Sequence, residues 1–314
     1  MSRWRLAGAL VAVLALLAAC NTGFEDVRLR ISGGPERGVY SSLSGALADA
    51  CAARLGMPRP EVMVSAGSPE NLDRLVNGEA DVVFSAADVA TSDRPGPRKP
   101  MALARLYNDY LHLVVGDDQS QAREPIAKVG DLLGKRVSIG GRTSGVAVMA
   151  GRVLETAGLT GDNAPELHHL TLNDSIEAFK RDEIDAFFWS GGLPTEGISK
   201  MRADNVDFRL VDLTDVLQRL TDRYPVYNAE LIPPSTYRLQ GSAVNTLSVP
   251  NYLLATDAMS DDLATALVKT LFDAQPALVE ANKAATAIDI HSAIETHPVP
   301  LHPGAFRYYR ESKI

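Results

Sequence analysis

The chain has 314 residues, of which 46% are hydrophobic and 22% charged, and its formal net charge is −8. That length is enough for two domains with substantial cores, and the composition is that of a globular protein rather than a disordered one. An acidic chain without a basic stripe argues against nucleic acid as a partner.

The N-terminus reads as an export signal. Arg3 and Arg5 form a charged start, and Leu6 to Leu17 is an apolar run too short for a comfortable membrane span. It ends in Leu17-Ala18-Ala19-Cys20, which resembles the bacterial lipobox. In that pattern residues 1–19 are removed as a signal peptide, and Cys20 becomes the lipidated first residue of a tether over residues 20–26. The alternative is a plain signal peptide with Cys20 near the cut. Acyl chains on Cys20 would hold a soluble, extracytoplasmic protein (periplasmic or cell-surface) on a membrane. Cys51 then has no partner, so no disulfide framework exists. It reads as a core residue of a helix.

Val27, Leu29 and Ile31 alternate with Arg28 and Arg30 and predict a strand. Ser32 to Tyr40 is a Gly-containing loop. Leu43, Ala46, Leu47, Ala50 and Cys51 follow at helical spacing, and Gly56 and Pro58 end that helix. A strand over Val62–Val64 runs into Ser65 to Asn71, where Ser68 is placed as N-cap and Pro69 as first helical residue. A third strand, Asp81 to Phe84, opens into Ser85-Ala86-Ala87-Asp88. Asp93 to Pro100 is Pro/Gly-rich and predicts a surface loop.

Leu111 to Val115 predicts a strand leading into a second domain, where the order repeats. Lys135 to Ile139 is a strand, Gly140 to Gly145 a loop, and Val146 to Ala157 a helix stopped by Gly158. Leu167 to Leu170 is a strand, Ser175 to Arg181 a helix, and Ile184 to Trp189 a strand feeding Ser190 to Thr195. Thr246 to Val249 and Asn251 to Ala255 predict the return to the first domain. A helix from Asp261 to Ala274 has Ser260 as N-cap. The strand–loop–helix pattern after Ile31 and again after Val137 aims unpaired N–H groups and a positive helix end at one point, which suits an anion. Two α/β lobes joined by two crossing strands describe a hinged clamp.

These segments resemble the TAXI-type solute receptors of tripartite ATP-independent periplasmic (TRAP) transporters. The resemblance rests on Gly33 to Tyr40, Ser65 to Leu72, and Gly78-Glu79-Ala80-Asp81 leading to Ser85 and Asp88. It continues through Gly134 to Val137 with Ser144-Gly145, then Ile184 to Phe188 with Gly192 to Thr195. Val249-Pro250-Asn251 and the run from Pro300 to Glu311 complete it. One departure is Glu36 and Arg37, which stand where such receptors have small residues. The resemblance implies a two-lobed, periplasmic-binding-protein-like (type II) α/β fold. Its lobes would comprise residues 27–112 with 250–314, and residues 113–249. It also implies capture of a small organic anion, an acidic amino acid or dicarboxylate, for delivery to the membrane subunits of a TRAP permease. The chain would act as a monomer and without a cofactor.

The candidate contacts come from both lobes. Gly34, Tyr40, Ser68, Asn71, Ser85 and Asp88 belong to the first. Arg142, Thr143, Ser144, Gly145, Trp189, Gly191 and Gly192 belong to the second. Each also has a duller reading. Ser144 serves as an N-cap, Asn71 supports a helix start, Arg142 is a solvated loop residue, and Tyr40 is a core residue. His168 and His169 are adjacent and point to opposite faces of a strand, which makes a poor metal pair. The chain has no G-x-S-x-G elbow, no complete P-loop and no full dinucleotide fingerprint, and nothing in it calls for catalysis. Two rivals stand beside this reading: a binding protein serving a sensor or another permease, and a cleft enzyme on a similar scaffold.

Overall fold

The computed structural model describes residues 23–36, 38–116 and 125–313. The expected signal peptide, Cys20 and Arg37 therefore lie outside the described residues. The end of the expected tether is anchored, since Phe24 packs against the core of the first lobe.

The first lobe opens with β1 (Arg30–Ser32), α1 (Val39–Leu55), β2 (Glu61–Met63), α2 (Ser68–Asn77), β3 (Val82–Ala86) and the short α3 (Ala87–Ala90). Strand β1 lies between β2 and β3, parallel to both. The second lobe repeats this with β5 (Arg136–Ser138), α4 (Gly145–Thr156), β6 (Glu166–His168), α5 (Leu172–Lys180) and β7 (Ala186–Gly191). Here β5 lies between β6 and β7, again parallel to both. Short parallel strands with helical crossovers are what the alternating pattern of the sequence demands.

Two long strands join the lobes. Strand β4 (Pro100–Gly116) leaves the first lobe and β10 (Val244–Thr256) returns to it. They run antiparallel from Ser248–Tyr110 to Thr256–Pro100, with register shifts between Pro250 and Tyr252 and between Leu253 and Leu254. Beyond Tyr110, β4 pairs with β7. Strand β10 pairs with β3 through Asn251–Leu254 and with β9 (Asn228–Ile232) through Val244–Ser248. The result is one ten-stranded sheet, its central path ordered β2-β1-β3-β10-β4-β7-β5-β6. The remaining elements are α6 (Glu196–Ala203), β8 (Phe208–Leu210), α7 (Thr214–Arg223), α8 (Asp261–Asp273), α9 (Gln275–Ala281) and α10 (Pro303–Glu311).

Several local expectations shift. Ser68 is the first helical residue of α2 rather than its cap, because Gly67 takes the cap position with φ +126°, open in practice only to glycine. Helix α5 starts three residues earlier than expected, capped by the Thr171 hydroxyl on Asp174 N. Strand β6 ends at His168, and β2 ends before the exposed Val64. Ser260 caps α8 as expected, and Cys51 is a buried free thiol whose pKa burial pushes up to about 12. His302 caps α10, its Nδ1 accepting from Gly304 N. A β-carbon on Gly304 would lie 2.2 Å from the carbonyl oxygen of Asp261, so only glycine lets α10 close against α8.

One interaction occurs twice. Asp81 accepts from the backbone N, Nε and Nη2 of Arg30 at 2.9, 3.1 and 2.9 Å. Asp185 accepts from the same three nitrogens of Arg136 at 2.8, 3.1 and 2.8 Å. Each clamp pins the first strand of a lobe to the start of its third, and each arginine also donates to the carbonyl of the preceding turn, Gly78 or Asp182. Bidentate charged pairs of this kind are the strong class of hydrogen bond. Asp81→Ala and Asp185→Ala are each expected to cost about 2 kcal/mol. Urea denaturation checks this, and a loss below about 0.5 kcal/mol would reduce the clamp to an ordinary surface pair.

Candidate functional site

The loops at the carboxyl ends of β1, β3, β5 and β7 converge between the lobes. They enclose a cavity of about 130 Å³. From the first lobe it receives Tyr40, Ser68 and Asp88, and from the second Ser144, Gly145, Trp189 and Gly191. The crossing strands close its floor with Tyr107, Asp109 and Val249. A methyl group at Gly145 would sit 3.7 Å from Ser68 Oγ, and one at Gly67 would sit 3.9 Å from Gly145 N. The start of α2 thus faces the start of α4 at close range across the cavity.

Each wall is held by its own chemistry. Gly140, at φ +84°, turns the loop so that Ser144 caps α4, its Oγ accepting from Ala147 N at 3.2 Å. The N–H groups of Gly145 and Val146 at the cavity have no partner within the helix. Ser68 Oγ accepts from Ala86 N at 2.9 Å and meets the Tyr40 hydroxyl at 3.2 Å. Tyr40 also donates to Asn251 Oδ1. The Trp189 indole donates to Thr195 Oγ1 at 3.1 Å, which fixes the ring beside the cavity.

A latch joins the lobes at the cavity edge. Asp88, 2% exposed, accepts from the Tyr227 hydroxyl at 2.7 Å on Oδ2. Arg152 of α4 donates to Tyr227 Oη at 2.8 Å and lies 3.4 Å from the same carboxylate oxygen. Its guanidinium also sits 4.5 Å from the centre of the Tyr224 ring, a cation–π contact. Burial raises the Asp88 pKa, while Tyr227 and Arg152 pull it back.

Asp109 has no such counter-charge among the described residues. Burial is the main cause that lifts its pKa to about 7, the Asp88 charge adds to the rise, and Asn251 opposes it. The Oδ1 atoms of both Asp88 and Asp109 are buried without a hydrogen-bond partner. A buried carboxylate oxygen without a donor is costly.

A larger cavity, about 410 Å³, is lined by Arg105, Asn108, Tyr110, Gly192 and Lys283. Its one helix start belongs to the short 3-10 helix Lys283–Ala287, whereas the smaller cavity gathers the loops after β1, β3, β5 and β7 from both lobes, so the smaller interlobe cavity is the candidate site. Among the described residues no cluster of three or more metal-ligating side chains occurs, and no helix is long and apolar enough to cross a membrane.

A family model described as the NMT1-like family matches residues 31–312. The chain belongs to the NMT1-like family. Solved structures share its fold at low identity. The periplasmic binding protein BugD aligns with a TM-score of 0.56 and 11% identity, covering 91% of this chain and 97% of its own. XAC2383 from Xanthomonas citri, bound to ATP, aligns with a TM-score of 0.54 and 16% identity, covering 90% and 94%. This NMT1-like chain therefore has the two-lobed binding-protein fold.

The expected contacts divide in this NMT1-like structure. Tyr40, Ser68, Asp88, Ser144, Gly145, Trp189 and Gly191 reach the cavity. Asn71 does not, because its fully buried amide is spent on Gly33 O, Phe84 O and Ser32 Oγ. Ser85 is fully buried within β3 and donates to Ala86 O. Gly34 is buried behind the loop, its carbonyl taken by Ser65 N. Arg142 and Thr143 are exposed on the outer side of the α4 loop, away from the cavity lining, and Gly192 faces the larger cavity. His169 Nδ1 lies 3.3 Å from Gly140 O and His168 Nε2 lies 3.3 Å from Glu166 Oε1, so the two diverge.

Asp109, Tyr107, Arg152 and Tyr227 were not among the expected contacts. The signal for Asp109 is a lone acid inside a long apolar strand, β4, whose polar interruption Asn108-Asp109-Tyr110 breaks the pattern.

The raised pKa of Asp109 has a stability consequence with a definite sign. The folded state binds a proton more tightly than the unfolded chain, so this contribution is present below pH 4 and is lost as pH rises through about 7. His112 works oppositely. Burial lowers its pKa to about 4, so its contribution is lost as pH falls from its ordinary value toward 4. Comparison with Asp109→Asn isolates the first term. The ligand-free variant is expected to melt at least about 2 °C above wild type at pH 8 and no higher than wild type at pH 5. Parallel melting curves at both pH values would overturn the assignment.

Proposed function

We propose that this protein is a solute receptor of the TAXI type, the extracytoplasmic binding subunit of a TRAP transporter. It captures a small organic anion, an acidic amino acid or dicarboxylate, and presents it to the membrane permease. The observation that carries the proposal is the interlobe cavity, where the start of α4 meets the start of α2 under Tyr40 and Trp189. The Gly145 and Val146 N–H groups and the positive end of the twelve-residue α4 are the anion-holding elements. No acidic residue occupies the first turn of α4, so nothing on that helix competes with a ligand carboxylate.

The work is binding and closure, and no bond is made or broken. In this reading the lobes comprise residues 27–112 with 250–314, and residues 113–249. The hinge lies where β4 and β10 exchange partners, near Tyr110 and Pro250. Delivery to a permease follows from the sequence resemblance, and membrane tethering follows from the lipobox-like run ending in Cys20. The receptor works as a monomer in the periplasm or at the cell surface.

A thermal-shift screen of small carboxylates and amino acids tests the proposal. A true ligand is expected to raise Tm, because it binds only the folded state, by about 2.7 kcal/mol of added stability at one hundred times its Kd. The same ligand should change Trp189 emission, and Trp189→Phe should remove that part of the signal. A screen without any shift across carboxylates would overturn the anion reading.

A further inference from the structure

Trp189 stands in the cavity wall, and its indole is held there from outside the cavity. Two polar side chains, Thr195 and Tyr237, lead from the indole back to a buried imidazole, and none of the three lines the cavity. His112, within β4, is 1% exposed and stands directly across from Trp189 in the β4–β7 pairing. Its Nε2 lies 2.8 Å from the Tyr237 hydroxyl. Tyr237 is 2% exposed and follows the single turn Pro234–Thr236. Its hydroxyl oxygen accepts from Thr195 N at 2.9 Å. Thr195 Oγ1 accepts from the Trp189 indole at 3.1 Å and donates to Gly192 O at 3.0 Å.

The donors and acceptors fix a direction. Tyr237 receives the Thr195 N–H, so its own proton goes to His112 Nε2, the acceptor within reach. The pattern thus assigns the imidazole proton to Nδ1, an atom buried without a hydrogen-bond partner. An apolar residue would spare that cost, so what the imidazole brings to this place is the Nε2 acceptor.

Thr195 is also the N-cap of α6, where a threonine hydroxyl ordinarily accepts from the first turn of the helix. Here the hydroxyl makes no cap bond and is turned to the indole and to Gly192 O instead. Gly191 completes the seat. A β-carbon there would lie 2.7 Å from Trp189 Nε1 and 3.4 Å from Thr195 Oγ1, so the indole in this position needs glycine beneath it.

Resting on the receptor reading above for the meaning of that wall, we propose that Tyr237 and His112 are positioning residues of the binding site. Together they hold Thr195 where its hydroxyl pins the Trp189 indole over Gly191. An indole has one polar atom, so this bond selects the ring's orientation among those that packing alone would allow. The flat surface offered to a solute is then set by residues that touch no solute.

Deuterium exchange of the Trp189 indole N–H, followed by NMR on the ligand-free full chain, tests this. Trp189→Phe assigns the signal, since Trp4 is the chain's other tryptophan. Tyr237→Phe and Thr195→Val are each expected to exchange the indole N–H about fivefold faster or more, the equivalent of about 1 kcal/mol. Backbone amides of β7 serve as the internal reference. Thr195→Ser and His112→Gln, which keep a hydroxyl and an acceptor, should retain the wild-type rate, whereas His112→Leu should speed exchange. An indole that exchanges as slowly in Tyr237→Phe or His112→Leu as in the wild type overturns the positioning role. So does an acceleration no greater than that of the β7 amides, which marks general destabilisation. If Tyr237→Phe does not fold, the contrast between His112→Gln and His112→Leu decides alone. No solute enters the measurement, so its failure leaves the receptor reading standing, and failure of the carboxylate screen leaves the pinned indole standing.

Discussion

The arrangement depends on the antiparallel contact between β4 and β10. Each strand is long because it must serve two half-sheets. Residues 100–110 of β4 pair with β10, and residues from 110 onward pair with β7. Strand β10 likewise passes from β9 to β3 between Ser248 and Asn251. The two strands exchange partners at almost the same level, opposite one another. Pro250 sits at that level, and with no N–H to give it cannot complete a regular ladder, so the register slips beside it. The register slip thus lies on the line where the two half-sheets join. Asp109 lies opposite Val249 on the same line, at the floor of the cavity.

The lobes are built by one recipe. Ser32 and Ser138 end equivalent strands, and each hydroxyl bonds the side chain of an equivalent helix residue, Asn71 or Ser175. The arginine–aspartate clamps stand at matching places. The two helix starts nevertheless differ. Ser144 caps α4 through its side chain, whereas Gly38 at the start of α1 makes no such bond, and Tyr40 fills that end of the cavity instead. The two lobes thus share a frame and differ at their loops.

This repetition explains what was legible in the sequence. The doubled strand–loop–helix pattern is local, so glycine spacing and apolar period revealed the repeated order of strands and helices and the far end of β4, whereas residues 101–110 of that strand were not read as strand. Helix boundaries that depend on a tertiary partner were less legible. The Ser68 hydroxyl is drawn away from capping by Ala86 N and Tyr40, a competition that exists only once β3 and α1 are in place. Asn71 and Ser85 looked available because their types are polar, but in the fold their groups are consumed inside the first lobe. The surroundings of Asp88 were illegible for the opposite reason. Asp109, Arg152 and Tyr227 come from three distant segments, and only the folded chain brings them near Asp88. Much of the stretch from Glu196 to Val244 carried no strong period, yet it supplies β8, β9 and Tyr227 to the site's surroundings.

Closure is a balance between opposing terms. One apolar cluster runs from Leu72 and Val89 in the first lobe to Val146, Met149 and Val153 in the second, and the Asp88–Tyr227–Arg152 latch reinforces it. Both favour the closed clamp. Against them stands the cost of burying Asp88 and Asp109 with two oxygens unpaired.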